Sequence, residues 1–240
     1  MRKLAPLLAV APLVAAVGAP AARPQTARTC GTRTVGSERV AYAGWATGGA
    51  VAYHRPGETV LARFGAHNAN DYPTVFGVVG ETAGAGCDGR WYRVQLPVKP
   101  NGSVGWVRAA ALVLERVPTR IVVDLSERRL WLYRDGRLVL RAPVGVGAPA
   151  TPTPAGSFYV NERLVPRDRS GPFGPAALGL SAFSPVLTWW PQGGPIAIHG
   201  TDEPASIGRA RSNGCIRLRN PTLERVFAAA GAGTPVVVRR

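Results

Sequence analysis

The chain has 240 residues, room for one large domain or two modest ones, and is 46% hydrophobic and 18% charged. That composition supports a packed core and excludes wholesale disorder. Twenty-nine Lys and Arg against 14 Asp and Glu give a formal charge of +15, nearly all from Arg, since Lys occurs only at Lys3 and Lys99. The cations are scattered, with neither a like-charge run nor an aromatic-interleaved basic strand, which argues against nucleic-acid binding. A diffuse positive surface suits an anionic polymer such as cell wall, or lipid headgroups.

At the N-terminus, Arg2 and Lys3 precede an apolar, Ala-rich stretch from Leu4 to about Ala22. This is the pattern of a secretory signal peptide, assigned to residues 1–22, and its internal prolines disfavour a stable spanning helix. Cleavage and retention as an anchor both remain open, but either places the protein outside the cytoplasm, in the cell wall or periplasm. Export gives the three cysteines a meaning, because an odd count in an oxidising compartment leaves one thiol unpaired. Cys30 and Cys87 can pair, which would make Cys215 the free one; the sequence leaves that pairing open.

Residues 23–44 are polar, rich in Gly, Thr and Arg, and without periodicity, and are expected to form a linker or loosely docked arm. From residue 45 to 117, short apolar runs are broken by Gly and Pro. They include Thr74–Val79, Trp91–Leu96 and Val104–Val107, with a turn at Lys99-Pro100-Asn101-Gly102. Such runs between turn signals predict a small all-β unit. Asp88-Gly89-Arg90-Trp91-Tyr92-Arg93-Val94 and Gly105-Trp106-Val107 resemble the ends of bacterial SH3-like domains, which implies a small N-terminal β-barrel.

A second β-rich unit spans 119–240. Ile121–Leu125 is a candidate strand, and Arg129–Arg134, Asp135-Gly136 and Arg137–Leu140 predict a hairpin with a type I′ turn. Further strands are predicted at Ser157–Val160, Pro195–His199 and Pro235–Val238. One helix is predicted to start at Asn220-Pro221, with Asn as N-cap, and to end before Gly231. The expected fold class is therefore mainly β.

The chemistry concentrates in Ile196-Ala197-Ile198-His199-Gly200-Thr201 and Ser212-Asn213-Gly214-Cys215-Ile216-Arg217-Leu218. A cysteine nucleophile acts as thiolate, and a neighbouring imidazole lowers its pKa and takes its proton. Here a histidine ends a strand, and the unpaired cysteine follows 16 positions later in a Gly-containing turn. Main-chain N–H groups can converge on an oxyanion in such a turn.

His-Gly-Thr followed by Ser-Asn-Gly-Cys-Ile-Arg-Leu resembles the signature of the YkuD family of L,D-transpeptidases. The resemblance runs from about Thr119 to Arg240, and Thr153-Pro154-Ala155-Gly156-Ser157-Phe158 and Leu178-Gly179-Leu180-Ser181 fit the same pattern. It implies a YkuD-like β-sandwich catalytic domain with a short helix. It also implies Cys215 as nucleophile, His199 as base and the Gly200 carbonyl as the group orienting the imidazole. Main-chain N–H groups of Asn213, Gly214 and Cys215 would form the oxyanion hole, and Ser212 and Arg217 would shape the turn or hold substrate. Asn213 stands where one common form of the motif has His, which leaves no role for that side chain.

The implied reaction joins peptidoglycan stem peptides through 3→3 cross-links with release of D-Ala. Carbapenem-type β-lactams would be covalent inhibitors, and no cofactor or metal is called for. With water as acceptor the same site is an L,D-carboxypeptidase; the rival from another class is a non-catalytic wall-binding protein. His54 and His67 lie in loop-like sequence and are read as structural or exposed. Trp189 and Trp190 are read as either cleft-lining or packed, and Arg209 and Arg211 as either substrate-facing or solvated.

Overall fold

The computed structural model describes residues 30–83, 87 and 89–240. The expected signal peptide at 1–22 lies outside the described residues. No helix among them is long and apolar enough to cross a membrane. They form two mainly β units joined near Pro118, with one α-helix.

The N-terminal unit contains β1 (Gly31–Thr34), β2 (Ala41–Ala46), β3 (Ala50–Tyr53) and β4 (Val60–Phe64). It continues with β5 (Val75–Ala83), β6 (Trp91–Gln95), β7 (Val104–Arg108) and β8 (Leu112–Val117). These strands pair in the order β4-β3-β7-β6-β5-β2-β8, with β1 on the far half of the long β5. Phe76, Val94 and Val107, each fully buried, are central to its core.

Residues expected to be a linker, 23–44, thus include β1 and the start of β2. The sequence of β1 has no apolar periodicity because all four of its residues are exposed. It is held by main-chain pairing with Gly80–Ala83 and by a disulfide joining Cys30 to Cys87.

The second unit begins with β9 (Thr119–Asp124), β10 (Arg129–Arg134), β11 (Arg137–Pro143) and β12 (Val146–Gly147). It continues with β13 (Gly156–Leu164), β14 (Ala177–Phe183), β15 (Pro195–His199), β16 (Ala210–Ser212) and β17 (Ile216–Arg217). Helix α1 (Asn220–Ala229) and β18 (Pro235–Arg239) complete it. The main sheet runs β11-β10-β9-β18-β13-β14-β15-β17, while β12 and β16 form a short parallel pair.

The predicted β10–β11 hairpin turns at Asp135 and Gly136, whose φ values of 50° and 78° are the left-handed pair that a type I′ turn needs. Leu223 and Val226, three residues apart on α1, bury its apolar face against the sheet core. The helix starts differently from expectation. Arg219 is the cap residue, and Asn220, already helical, points its side-chain oxygen at the Thr201 N–H, 2.8 Å away. The asparagine fixes the segment after His199 instead of capping its own helix.

The two units meet at Tyr159 on β13. It is fully buried among Ala43, Val75, Val117 and Ala232, and its hydroxyl donates to the Val75 carbonyl at 3.0 Å. Its ring lies so close to Gly77 that a Cβ there would approach to 3.1 Å. Gln95 and Asn101 add hydrogen bonds from the N-terminal unit to Ser157 and Phe183. Tyr159→Phe, which leaves the Val75 carbonyl unpaired, is expected to lower stability by about 1–2 kcal/mol, and Tyr159→Ala by about 3–5 kcal/mol. Urea unfolding curves measure both.

Candidate active site

Strand alternation in β15 buries Ile196 and Ile198 in the core and turns Ala197 and His199 to the opposite face. Parallel pairing of β15 with β17 sets Ile198 opposite Ile216 and His199 opposite Arg217. Cys215, immediately before β17, is therefore brought alongside Ala197, whose main chain favours the thiolate form.

The turn before β17 is braced from inside. Ser212 Oγ donates to the Cys215 carbonyl at 2.5 Å and accepts from the Gly214 N–H at 3.1 Å. Thr153 Oγ1 donates to the Gly214 carbonyl at 2.7 Å and accepts from the Gly147 N–H at 2.9 Å. Gly214 has φ of +111°, and a Cβ there would stand 2.9 Å from Ile196 Cδ1, so the position requires glycine. Among the described residues no protein acceptor meets the N–H of Asn213 or Cys215, whereas that of Gly214 is engaged with Ser212.

His199 is 4% exposed, with Phe173 packed against its ring at 4.9 Å. Its Nδ1 lies 2.5 Å from the Gly200 carbonyl oxygen. A carbonyl can only accept, so Nδ1 carries the proton and the neutral ring presents Nε2 as the basic nitrogen. Gly200 sits where any side chain would collide with Asn220 and with Pro175 Cδ, 2.8 Å from a built Cβ. The residue whose carbonyl meets the imidazole is itself wedged between the segment preceding β14 and the first residue of α1.

Burial lowers the pKa of His199 from 6.5 to about 4, against the opposing hydrogen bond to Gly200. Burial also raises the thiol of Cys215, outweighing the Ala197 hydrogen bond and the Arg217 charge that favour thiolate. The sequence reading had the imidazole lowering the thiol pKa. In the folded chain desolvation dominates, and thiol and imidazole both rest neutral. The Arg217 guanidinium acts on both groups in one sense, favouring thiolate over thiol and neutral imidazole over imidazolium.

Cys215 opens onto a cavity of about 600 Å³ lined also by Phe173, Gly179, Trp190, Ala197 and, from the two units respectively, Asn70 and Glu162. Trp190 thus lines the cleft, while Trp189 is 76% exposed. Ser212 and Arg217 lie off this lining: Ser212 is buried in the turn, and Arg217 donates to Glu203 Oε2 at 2.7 Å. Arg209, Arg211, His54 and His67 are exposed. No cluster of His, Cys, Asp or Glu able to hold a metal occurs among the described residues.

Three residues at the site had no assigned role in the sequence reading. Thr153 lay within a segment matched to the family pattern and shows how that segment reaches the turn. Asn70 carried no local signal because only the packing of the two units brings it to the cavity, and Glu162 none because a register slip in the β13–β14 ladder turns it there.

The depressed pKa of His199 has a stability consequence. Between pH 6.5 and about 4 the unfolded imidazole takes a proton that the folded one refuses. Stability therefore falls as pH drops through that window and levels off below it. The loss attributable to His199 is about 3 kcal/mol. Urea unfolding of the wild type across the window is expected to show this fall, and His199→Gln to flatten it.

The L,D-transpeptidase catalytic domain family YkuD matches residues 118–238. The Bacillus subtilis protein YkuD, named for that activity, is 36% identical over 124 residues, covering 52% of this chain and 68% of that protein. YcfS of Escherichia coli, also named as an L,D-transpeptidase, is 27% identical over 163 residues, covering 56% of this chain and 48% of its own length. A crystal structure of an Enterococcus faecium L,D-transpeptidase mutant is 27% identical, covering 50% of this chain and 49% of that one, with a TM-score of 0.40. With half of its length matched, the chain belongs to the YkuD family of L,D-transpeptidases.

Proposed function

We propose that this protein is an exported cysteine L,D-transpeptidase that forms 3→3 cross-links between peptidoglycan stem peptides. The observation that carries this reading is the free thiol of Cys215 opening onto a cavity, with His199 at the end of the adjacent paired strand and its tautomer leaving Nε2 available. On this reading Cys215 Sγ attacks the carbonyl carbon of the third residue of a donor tetrapeptide stem. His199 Nε2 takes the thiol proton as the S–C bond forms, so the raised thiol pKa is overcome only at the moment of attack. The N–H groups of Asn213 and Cys215 hold the oxyanion, and Gly214 serves the turn.

Collapse of the tetrahedral intermediate breaks the C–N bond. The amine of the terminal D-Ala leaves with the proton held by His199, and a thioester remains on Cys215. The amine of a second stem attacks the thioester, His199 removes its proton, and the thiol is regenerated. Water in place of the amine gives L,D-carboxypeptidase activity. Ser212 is assigned to shaping the turn, and Arg217 to the electrostatic poise of the pair.

The disulfide between Cys30 and Cys87 supports an oxidising compartment and thus export. The N-terminal sheet, read as SH3-like, would position the catalytic unit on the wall.

Cys215→Ala is expected to reduce D-Ala release from a tetrapeptide-stem muropeptide by about a thousandfold or more while leaving wall binding intact. Chromatography of the products separates cross-linked dimers from simple tripeptides, and hence transpeptidase from carboxypeptidase. Intact-mass analysis after exposure to a carbapenem is expected to show an adduct that the alanine variant lacks. Persistent D-Ala release by that variant contradicts the mechanism, and absence of release by the wild type favours a wall-binding role.

A further inference from the structure

The side chain of Glu162 is the feature that the proposed chemistry leaves unused. A straight antiparallel register from Val160 opposite Leu180 would place Glu162 opposite Leu178, on the core face of the sheet. The ladder instead slips by one residue between Val160 and Glu162, and Glu162 pairs with Gly179. Because side-chain direction alternates with period two, that slip moves the carboxylate from the core face to the cavity face.

Gly179 in turn pairs with Ala197, and the parallel pairing of β15 with β17 sets Cys215 alongside Ala197. A row of residues therefore crosses the sheet from Glu162 to the nucleophile, and the two between them are small. A Cβ on Gly179 would collide with Glu162 Cγ, so the glutamate side chain lies across β14 toward Cys215. From Gly179 to Cys215 is two strand spacings, about 10 Å.

Glu162 is 6% exposed, and no ion pair reaches it among the described residues. Arg163, next in sequence, donates instead to the Phe227 carbonyl. The partners of Glu162 are neutral and come from the N-terminal unit. Asn68 Nδ2 donates to Oε2 at 2.6 Å, and Asn70 Nδ2 lies 3.0 Å from both oxygens. Gln192 Nε2 donates to Asn70 Oδ1 at 2.9 Å, which fixes the Asn70 amide with its NH₂ toward the carboxylate. Oε1, with one of these contacts against two on Oε2, keeps acceptor capacity. A carboxylate buried among neutral donors, at the wall of a cavity, calls for a cation from outside.

We propose that Glu162 is an ammonium-binding subsite. It takes the side-chain ammonium of a diamino acid at the third position of the donor stem, the residue whose carbonyl Cys215 attacks. A gap of about 10 Å suits an acyl carbon in contact with sulfur and a stem of about four carbons ending in the ammonium. The N-terminal unit thereby takes part in substrate selection, since Asn68 and Asn70 hold the carboxylate in place. The proposal rests on the stem-peptide reading given above.

The test uses two synthetic tetrapeptides, one with lysine at the third position and one with its neutral isostere norleucine. Calorimetric binding to the full chain carrying Cys215→Ala is expected to favour the lysine peptide by roughly tenfold or more, as for a hydrogen bond to a charged group. Adding Glu162→Gln should remove the preference while leaving norleucine-peptide binding unchanged, and Glu162→Asp should keep part of it. Equal binding of the two peptides to the Cys215→Ala chain overturns the proposal without recourse to a Glu162 variant. So does a preference that survives Glu162→Gln, or a Glu162→Gln variant that weakens both peptides equally. Lysine preference without D-Ala release from wild type would refute the transpeptidase reading and leave the subsite standing. D-Ala release with equal binding would do the reverse.

Discussion

The hydrogen bond from His199 Nδ1 to the Gly200 carbonyl, 2.5 Å long, sets the chemistry that the rest of the fold supports. It fixes the tautomer and leaves Nε2 unprotonated. Gly200 is wedged against Pro175 and Asn220, and the next N–H is held by Asn220 Oδ1. The first residue of α1 and the residues preceding β14 thus determine which nitrogen of the imidazole is basic. No carboxylate is needed for that role, and a neutral partner suits a buried ring that itself stays neutral.

The two units contribute unequally to the cavity onto which Cys215 opens. The C-terminal unit supplies Cys215 and the floor, with His199 on the adjacent strand. A turn of the N-terminal unit, between β4 and β5, supplies Asn70 at one wall, while Tyr159 at the junction holds the units together. A buried tyrosine whose hydroxyl is spent on a partner's main chain is a directional contact as well as an apolar one. The N-terminal unit is therefore part of the site's architecture and more than a tether.

Local signals in the sequence were reliable where the determinant was local. The Asp135-Gly136 turn, the limits of β15 and the presence of α1 follow from φ preferences, alternation and proline placement. The Ser212–Arg217 motif marked the turn, but Ser212 was legible only as a motif position; its use in bracing Gly214 and Cys215 required the fold. Strand β1 was missed because an exposed edge strand has no apolar pattern to read. The slip that redirects Glu162 was also invisible, since one residue's change of register leaves no trace in composition. Asn220 looked like a helix cap, and its side chain is spent on Thr201 because the chain after His199 has the greater need. Protonation was the deepest gap. Spacing suggested an activated thiolate, whereas burial, a property of the packed whole, holds Cys215 and His199 neutral.

The account turns on that neutral pair, and the pH dependence of Cys215 alkylation in the resting protein tests it most directly. The disulfide leaves Cys215 as the free thiol among the described residues, so the rate of iodoacetamide labelling reports its thiolate fraction. A neutral pair predicts labelling that is slow at neutral pH and rises as one step above the ordinary range of a cysteine thiol, with no plateau on the acid side. A plateau of fast labelling from mildly acidic to neutral pH would reveal a thiolate–imidazolium ion pair and contradict the account.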